Sequence, residues 1–224
     1  MMTKELFFRA IVFFAVGFVI VAALLFLPAW TICYPQAWLL LGILFVPMFA
    51  AGLVMMVKNP ELLKKRLNAK EKEGEQRTVI ALSGIMFLAA FVAAALSFRF
   101  DFLMLPLPVS IAAAVIFLGA YALYAEVLRE NTYLSRTIEV QENQKVIDTG
   151  LYGIVRHPMY MATVLLFLAM PLVLGSVIAF GIMLFYIPII VLRIRNEEKV
   201  LEEGLPGYTE YKKKVKYRLI PFLW

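Results

Sequence analysis

Residues 6–27 read LFFRAIVFFAVGFVIVAALLFL, and between Leu6 and Leu27 the only charged side chain is Arg9. About 20 such residues in a helix are enough to cross a hydrocarbon core of ~30 Å, so this run predicts a membrane-spanning helix. It is too long and too uninterrupted for a signal-peptide core and has no small-residue cleavage site behind it, so it is expected to be retained. Further apolar runs follow at roughly 36–57, 79–98, 103–128, 159–174 and 177–192, the last two short and separated only by Gly175-Ser176. All are apolar on every side rather than alternating in polarity, which excludes a β-barrel. The predicted fold is therefore all-α, a polytopic transmembrane helical bundle of about six segments whose last two close as a tight hairpin.

Composition points the same way. Of the 224 residues 62% are hydrophobic and 17% charged, with a mean hydropathy of +0.83. A soluble domain is typically about half apolar and a quarter charged, so water is not the main solvent of this chain.

Lysine and arginine are distributed unevenly along the chain. Two stand at the N-terminus, seven in 58–78, four in 129–158 and eight from Arg193 onward, leaving only Arg99. If the six segments alternate in direction, every basic residue except Arg99 falls on one side. The positive-inside rule then predicts a multi-pass protein with both termini in the cytoplasm. The pI near 9.4 marks loops lying beside anionic membrane lipid, and no nucleic-acid partner is expected. One cysteine, Cys33, and one histidine, His157, form neither a disulfide framework nor a His/Cys metal cluster, so no metal is expected. Pro221-Phe222-Leu223-Trp224 is not a prenylation box, so any lipidated group the chain handles is expected to come from elsewhere. The stretch Lys58 to Thr78 mixes basic and acidic residues around Leu62, Leu63 and Leu67, which fits either an amphipathic surface helix or a solvated linker.

The polar residues that suggest chemistry begin at Glu130. The chain leaves the fourth segment through Asn131-Thr132-Tyr133, reaches Asp148-Thr149-Gly150-Leu151-Tyr152, and re-enters the membrane at Arg156-His157-Pro158-Met159-Tyr160. Proline is favoured at the first position of a helix, where its missing N–H costs nothing, so Pro158 is expected to start the fifth helix with His157 at its mouth. Free backbone N–H groups and the helix dipole make such a mouth an anion site, and Arg156 is expected to add charge there. Further on, Arg193-Ile194-Arg195-Asn196-Glu197-Glu198 is expected to end the sixth helix, with Arg193 and Glu197 one turn apart on one face. As ordinary interfacial anchors these two would pair with each other. Gly204-Leu205-Pro206-Gly207-Tyr208 and Tyr211 read as a turn leading into a basic amphipathic tail, with the two tyrosines as packing anchors.

The order T-G-L-Y, R-H-P-x-Y, R-I-x-x-E-E, G-x-x-Y-x-x-Y and a final I-P, spread from Asn131 to Pro221, resembles the isoprenylcysteine carboxyl methyltransferase family and its phospholipid and thiol methyltransferase relatives. The resemblance divides the chain into 1–129, four transmembrane helices with a basic cytoplasmic loop at 58–78, and 130–224, the catalytic region. It implies S-adenosylmethionine as cofactor, bound by a cytoplasmic loop and tail against the last two helices. Gln141, Gln144, Lys145, Val146, Ile147, Tyr152, His157, Pro158, Met159, Tyr160 and Glu197 would line it, and Arg193 would bind the acceptor. Arg193 and Glu197 would be the catalytic pair. The chain departs from relatives at Ala162, often glycine there, and at Glu203-Gly204, often F-G.

Methyl transfer needs positioning and exclusion of water more than acid or base chemistry. A carboxylate acceptor, favoured here as a prenylcysteine-type group, is ionised at neutral pH and needs no base. An amine or thiol acceptor would need a proton removed, with His157 and Glu198 nearest to do it. The lipophilic acceptor is expected to enter sideways from the bilayer, past Leu165, Leu166, Phe167, Leu184 and Phe185. A nicotinamide-dependent sterol reductase and a lipid-binding scaffold are the competing readings.

Overall fold

The computed structural model describes residues 4–67, 74–134 and 140–224. Their secondary structure is helical: α1 (Lys4–Ala29), α2 (Pro35–Lys58), α3 (Pro60–Leu67), α4 (Gly74–Arg99), α5 (Leu107–Glu130), a 3-10 turn (Gly150–Gly153), α6 (Pro158–Val173), α7 (Val177–Met183), α8 (Tyr186–Gly204) and α9 (Tyr208–Lys214). Five stretches are long and apolar enough to span a bilayer: Glu5–Ala29, Pro35–Lys58, Val79–Arg99, Leu107–Glu130 and the broken helix Val177–Gly204. The protein is a multi-pass membrane protein with an all-α bundle fold. Helix α6, at 16 residues, is shorter than the rest. At 1.5 Å per residue it measures ~24 Å.

The outer faces carry large apolar side chains, including Phe8, Val19, Val46 and Val115, all more than half exposed, as a surface solvated by lipid requires. Inside, alanines recur at the helix contacts: Ala90, Ala94, Ala95, Ala113, Ala114, Ala120, Ala162, Ala169 and Ala179 are buried. Lipid tails are as apolar as these interiors, so burial alone does not drive membrane helices together. Small side chains allow the close backbone approach on which such packing depends. Polar side chains add links between helices: the Tyr34 hydroxyl donates to the Leu174 carbonyl (2.7 Å), Tyr121 to Leu44 O (2.9 Å) and Tyr186 to Thr163 Oγ1 (3.0 Å).

Those contacts also sort the loops. The turn after α1, the segment 100–106 and the α6–α7 turn meet at one end of the bundle, where Tyr34 stacks on Phe98 at 3.9 Å and Leu105 N donates to Gly175 O at 2.7 Å. The opposite end carries α3, the loop after α5, and the whole of the chain from Arg193. The described basic residues other than Arg99 thus share an end, as alternating segments require.

The α6–α7 hairpin forms as expected, and its turn has a clear cause. Gly175 sits at φ +75°, its N–H bonding Leu172 O (3.1 Å), while Ser176 N bonds Pro171 O (3.0 Å). This is a Schellman closure, which needs a left-handed residue at the glycine position. Ser176 then caps α7, its Oγ accepting from Ala179 N (3.1 Å). Beyond the hairpin the structure corrects the expected ending of the last helix. After a break at Leu184-Phe185, α8 continues past Glu198 to Gly204. Pro188 explains the break, because it has no N–H to bond the carbonyl four residues back and its ring crowds that turn.

The stretch 58–78 divides. Pro60–Leu67 forms α3, with Leu62 and Leu63 buried and Leu63 and Leu67 packed in a cluster with Ala10 and Met56, so the amphipathic reading holds there. Residues 68–73 lie outside the described part of the chain, and α4 begins at Gly74.

Candidate functional site

The site forms where α6 and α8 emerge at the basic end. Proline starts α6 as its ring predicts, and His157 occupies the N-cap, with no side-chain hydrogen bond to the first turn. Across from it, α8 presents Arg193 and Glu197 one turn apart. The two are not simply paired with each other. Tyr160, in the first turn of α6, stands between them, its hydroxyl donating to Glu197 Oε2 (2.5 Å) and accepting from Arg193 Nε (2.9 Å). One phenol thus links the two residues expected to hold acceptor and cofactor.

Glu198, the next residue on α8, is only 3% exposed and has a different role. Its Oε1 accepts from Arg156 Nε (2.8 Å) and lies 3.2 Å from His157 Nε2, and its Oε2 accepts from Arg218 Nε (2.9 Å). Arg156 Nη1 donates in addition to the carbonyls of Val215 (2.7 Å) and Lys216 (2.9 Å). The backbone closes the same joint, Arg156 N bonding Tyr217 O and His157 N bonding Arg218 O, each at 2.9 Å. A buried carboxylate is tolerated when its oxygens are saturated by charged donors, and here the Arg156 and Arg218 guanidinium groups do so, with the His157 ring nitrogen beside them. Arg156, expected to add charge at the helix mouth, lines the cleft but spends its hydrogen bonds holding the tail against α6. Glu198, with both oxygens engaged, is poorly suited to removing a proton.

The loop after α5 supplies the facing wall. Asn131 Oδ1 accepts from Tyr133 N (3.0 Å) and its Nδ2 donates to the Tyr152 hydroxyl (3.0 Å), so it both turns the chain and holds a cleft residue. The Glu130 carboxylate accepts from Thr149 Oγ1 (3.0 Å) and Leu151 N (3.1 Å), tethering the 3-10 turn. The loop's far side packs Val140 and Val146 onto a small cluster of Leu201, Leu205, Tyr208, Tyr211 and Val215. Close approach there depends on Gly204, where a Cβ would come within 2.9 Å of Val140 Cγ2. Asp148 is held below the usual carboxylate range by its hydrogen bond and charge contact with Lys214 (2.7 Å) on α9. Burial pushes the Tyr152 phenol well up, so it remains protonated at neutral pH.

Between loop, α6, α8 and α9 lies a solvent-connected cleft. Of the residues expected to line a cofactor, Gln144, Lys145, Val146, Ile147, Tyr152, His157, Met159, Tyr160 and Glu197 stand in its wall, together with Arg193. Two do not. Gln141 turns back on its own loop, its Nε2 donating to Tyr133 O (2.5 Å) and its N–H bonding Gln144 Oε1 (2.8 Å), and Pro158 is the first residue of α6. The wall also contains residues that sequence reasoning did not assign to a ligand: Leu134, Leu201, Leu205, Tyr208 and Tyr211. For the last two the G-x-x-Y-x-x-Y spacing was the available signal.

The expected acceptor path is revised in part. Leu165, Leu184 and Phe185 face outward as a lipid-facing path requires, but Leu166 is buried in the core and Phe167 packs between Phe87 and Tyr186 at 4.8 and 4.9 Å. Among the described residues no three His, Cys, Asp or Glu side chains converge as metal ligands would.

Comparison with known proteins bears on the same region. The chain is similar to the Delta(14)-sterol reductase TM7SF2 of Mus musculus, with 30% identity over 91 residues, 39% of this chain and 22% of that protein. The chain therefore spans only that smaller fraction of the curated relative it matches. A family model described as phospholipid methyltransferase matches residues 109–206, from the first turns of α5 to just beyond α8, and so takes in Tyr160, Arg193 and Glu197 with most of the cleft.

Proposed function

We propose that this protein is an integral membrane methyltransferase that uses S-adenosylmethionine to methylate a lipophilic acceptor. The observation that carries the proposal is the Glu197–Tyr160–Arg193 chain at the mouth of α6, inside the region matched by the phospholipid methyltransferase family. The cleft suits the cofactor's chemistry. It joins a carboxylate, Glu197, to an apolar and aromatic end around Val146, Leu201 and Tyr208, and the buried Tyr208 hydroxyl has no partner among the described residues. Gln144 to Ile147, Tyr152, His157, Met159, Tyr160 and Glu197 would hold the cofactor, with Gln141 shaping the loop and Pro158 setting the helix start.

When bound, S-adenosylmethionine supplies a methyl group activated on a positively charged sulfur. Glu197 is suited to the cofactor's positive charges, and the first turn of α6 to its carboxylate. Arg193 would hold the acceptor, and the loop over the cleft would exclude water. Among acceptors we favour a carboxylate of prenylcysteine type, since a guanidinium matches a carboxylate in shape and charge and the reaction then yields an ester and a neutral thioether with no proton to remove. A phospholipid amine or a thiol is the alternative. The outward Leu165, Leu184 and Phe185 let an apolar tail stay in lipid while its head reaches Arg193 from the cytoplasmic face.

The similarity to a sterol reductase favours a second reading, reduction with NADPH. Labelled S-adenosylmethionine and NADPH, offered separately to detergent-purified protein, distinguish the two. Saturable binding of S-adenosylmethionine is expected, and binding of NADPH alone would replace the methyltransferase reading. Methyl transfer into a total-membrane lipid extract, with mass identification of the product, then names the acceptor.

A further inference from the structure

Tyr208 and Tyr211 stand one turn apart on α9, and both are buried, at 4% and 6% exposure. Their hydroxyls differ. That of Tyr211 donates to the Tyr152 carbonyl at 2.7 Å, tying α9 to the 3-10 turn. That of Tyr208 is shielded from solvent and has no hydrogen-bond partner among the described residues, although the residue lines the cleft. Buried hydroxyls are almost always paired, because an unpaired one forfeits its bonds to water without compensation. The nearby carboxylates are already engaged, Glu198 by Arg156, His157 and Arg218, and Glu197 by Tyr160. Burial, and then the charges of Glu198 and Glu197, push the Tyr208 phenol well up, so it keeps its proton and remains an O–H donor.

The rest of this end of the cleft is apolar and aromatic. Val146, Leu201, Leu205 and Tyr211 surround Tyr208, whereas Arg193, Glu197 and Tyr160 stand at the end toward α6 and the membrane. A flat heterocycle is the kind of ligand group that needs apolar walls and one in-plane hydrogen bond. We propose that Tyr208 is a ligand-contact residue, its hydroxyl donating to a ring nitrogen of the cofactor's adenine, so that the heterocycle lies at the α9 end of the cleft and the reactive end faces α6. This rests on the methyltransferase reading and adds an orientation to it.

The test uses the full chain in detergent, with Tyr208→Phe and Tyr211→Phe compared with the parent. Without ligand, Tyr208→Phe should unfold at or above the parent's temperature, because no bond to the described residues is lost, and Tyr211→Phe should unfold lower. In calorimetry Tyr208→Phe should bind S-adenosylmethionine about tenfold more weakly. Among deaza analogues, in which one adenine nitrogen becomes C–H, one should lose a similar factor on the parent and nothing further on Tyr208→Phe. Undiminished binding to Tyr208→Phe, or destabilisation matching that of Tyr211→Phe, overturns the assignment while leaving the methyltransferase reading intact. A parent chain that fails to bind S-adenosylmethionine overturns both.

Discussion

Gly150→Ala should loosen the 3-10 turn that carries Tyr152 into the cleft. Gly150 sits at φ +48°, and a Cβ there would come within 2.2 Å of Glu130 Oε1, the carboxylate that accepts from Thr149 and Leu151. The left-handed backbone costs a side-chain-bearing residue ~1–2 kcal/mol. Moving the carboxylate aside loses two partly solvated hydrogen bonds, together worth ~1–2 kcal/mol after allowing for screening. The sum, ~2–4 kcal/mol, corresponds to a ~30- to 700-fold rise in opening of the turn. Hydrogen exchange at the Leu151 amide, followed by mass spectrometry in detergent, reads that opening directly, and affinity for S-adenosylmethionine should fall with it. Glu130→Ala alone should cost its two hydrogen bonds, yet combined with Gly150→Ala it should cost less than the two changes separately, because the obstructing carboxylate is gone. Strict additivity of the two substitutions would refute the contact on which the estimate depends.

Three further outcomes follow from the site. Glu198→Ala strands Arg156, His157 and Arg218 without their anion and should destabilise the fold by ~3–5 kcal/mol, visible as lost thermal stability, whereas Glu197→Ala should leave folding intact and weaken cofactor binding; equal stability loss for both would show that the two glutamates do not divide their roles. Arg193→Ala should raise the KM for the acceptor more than tenfold while shifting the cofactor's Kd by less than about threefold, corresponding to losses of ~1.4 and ~0.6 kcal/mol, and a larger cofactor effect would move Arg193 to the cofactor's side of the site. Native Cys33 is exposed in the turn after α1, so an impermeant thiol reagent should reach it from the face opposite to cysteines introduced at Lys145 and Lys213; labelling of all three from one face would contradict the alternating arrangement.

The bundle was legible because each spanning helix is a local run of apolar residues, and hydropathy along a chain is a one-dimensional property. The hairpin at Gly175-Ser176 was legible for a similar reason, since glycine followed by serine signals a left-handed stop and then a cap. What the residues at the site do was less so. Glu197 and Glu198 are neighbours in sequence, but successive residues on a helix point ~100° apart. One therefore faces Tyr160 and the cleft while the other faces the Arg156–Arg218 joint. The bracing role of Arg156 was hidden because its partners, Val215 to Arg218, arrive from a tail some sixty positions away. Tyr208 and Tyr211 share a motif, and only the third dimension shows that, among the described residues, one hydroxyl is bonded and the other is not. Likewise the continuation of α8 beyond the apolar run was hidden by its charges, which mark the membrane's edge but do not end a helix.

The shortness of α6 has a consequence for the surrounding lipid. Helix α5 beside it has 24 residues and α6 has 16. At 1.5 Å per residue their lengths differ by ~12 Å, and α6 falls several ångströms short of a hydrocarbon layer ~30 Å thick. Lipids against α6 must thin locally, or its polar mouth must sit beneath the headgroup plane; both bring an acceptor's head toward Tyr160 and Arg193. Bilayers built from shorter acyl chains remove this mismatch, while thicker, sterol-rich ones exaggerate it at a cost of fractions of a kcal/mol per ångström. On the proposed methyltransferase reading, the thickness of the host membrane becomes a variable of the reaction, and the same polypeptide would work at different rates in compartments that differ only in their lipid.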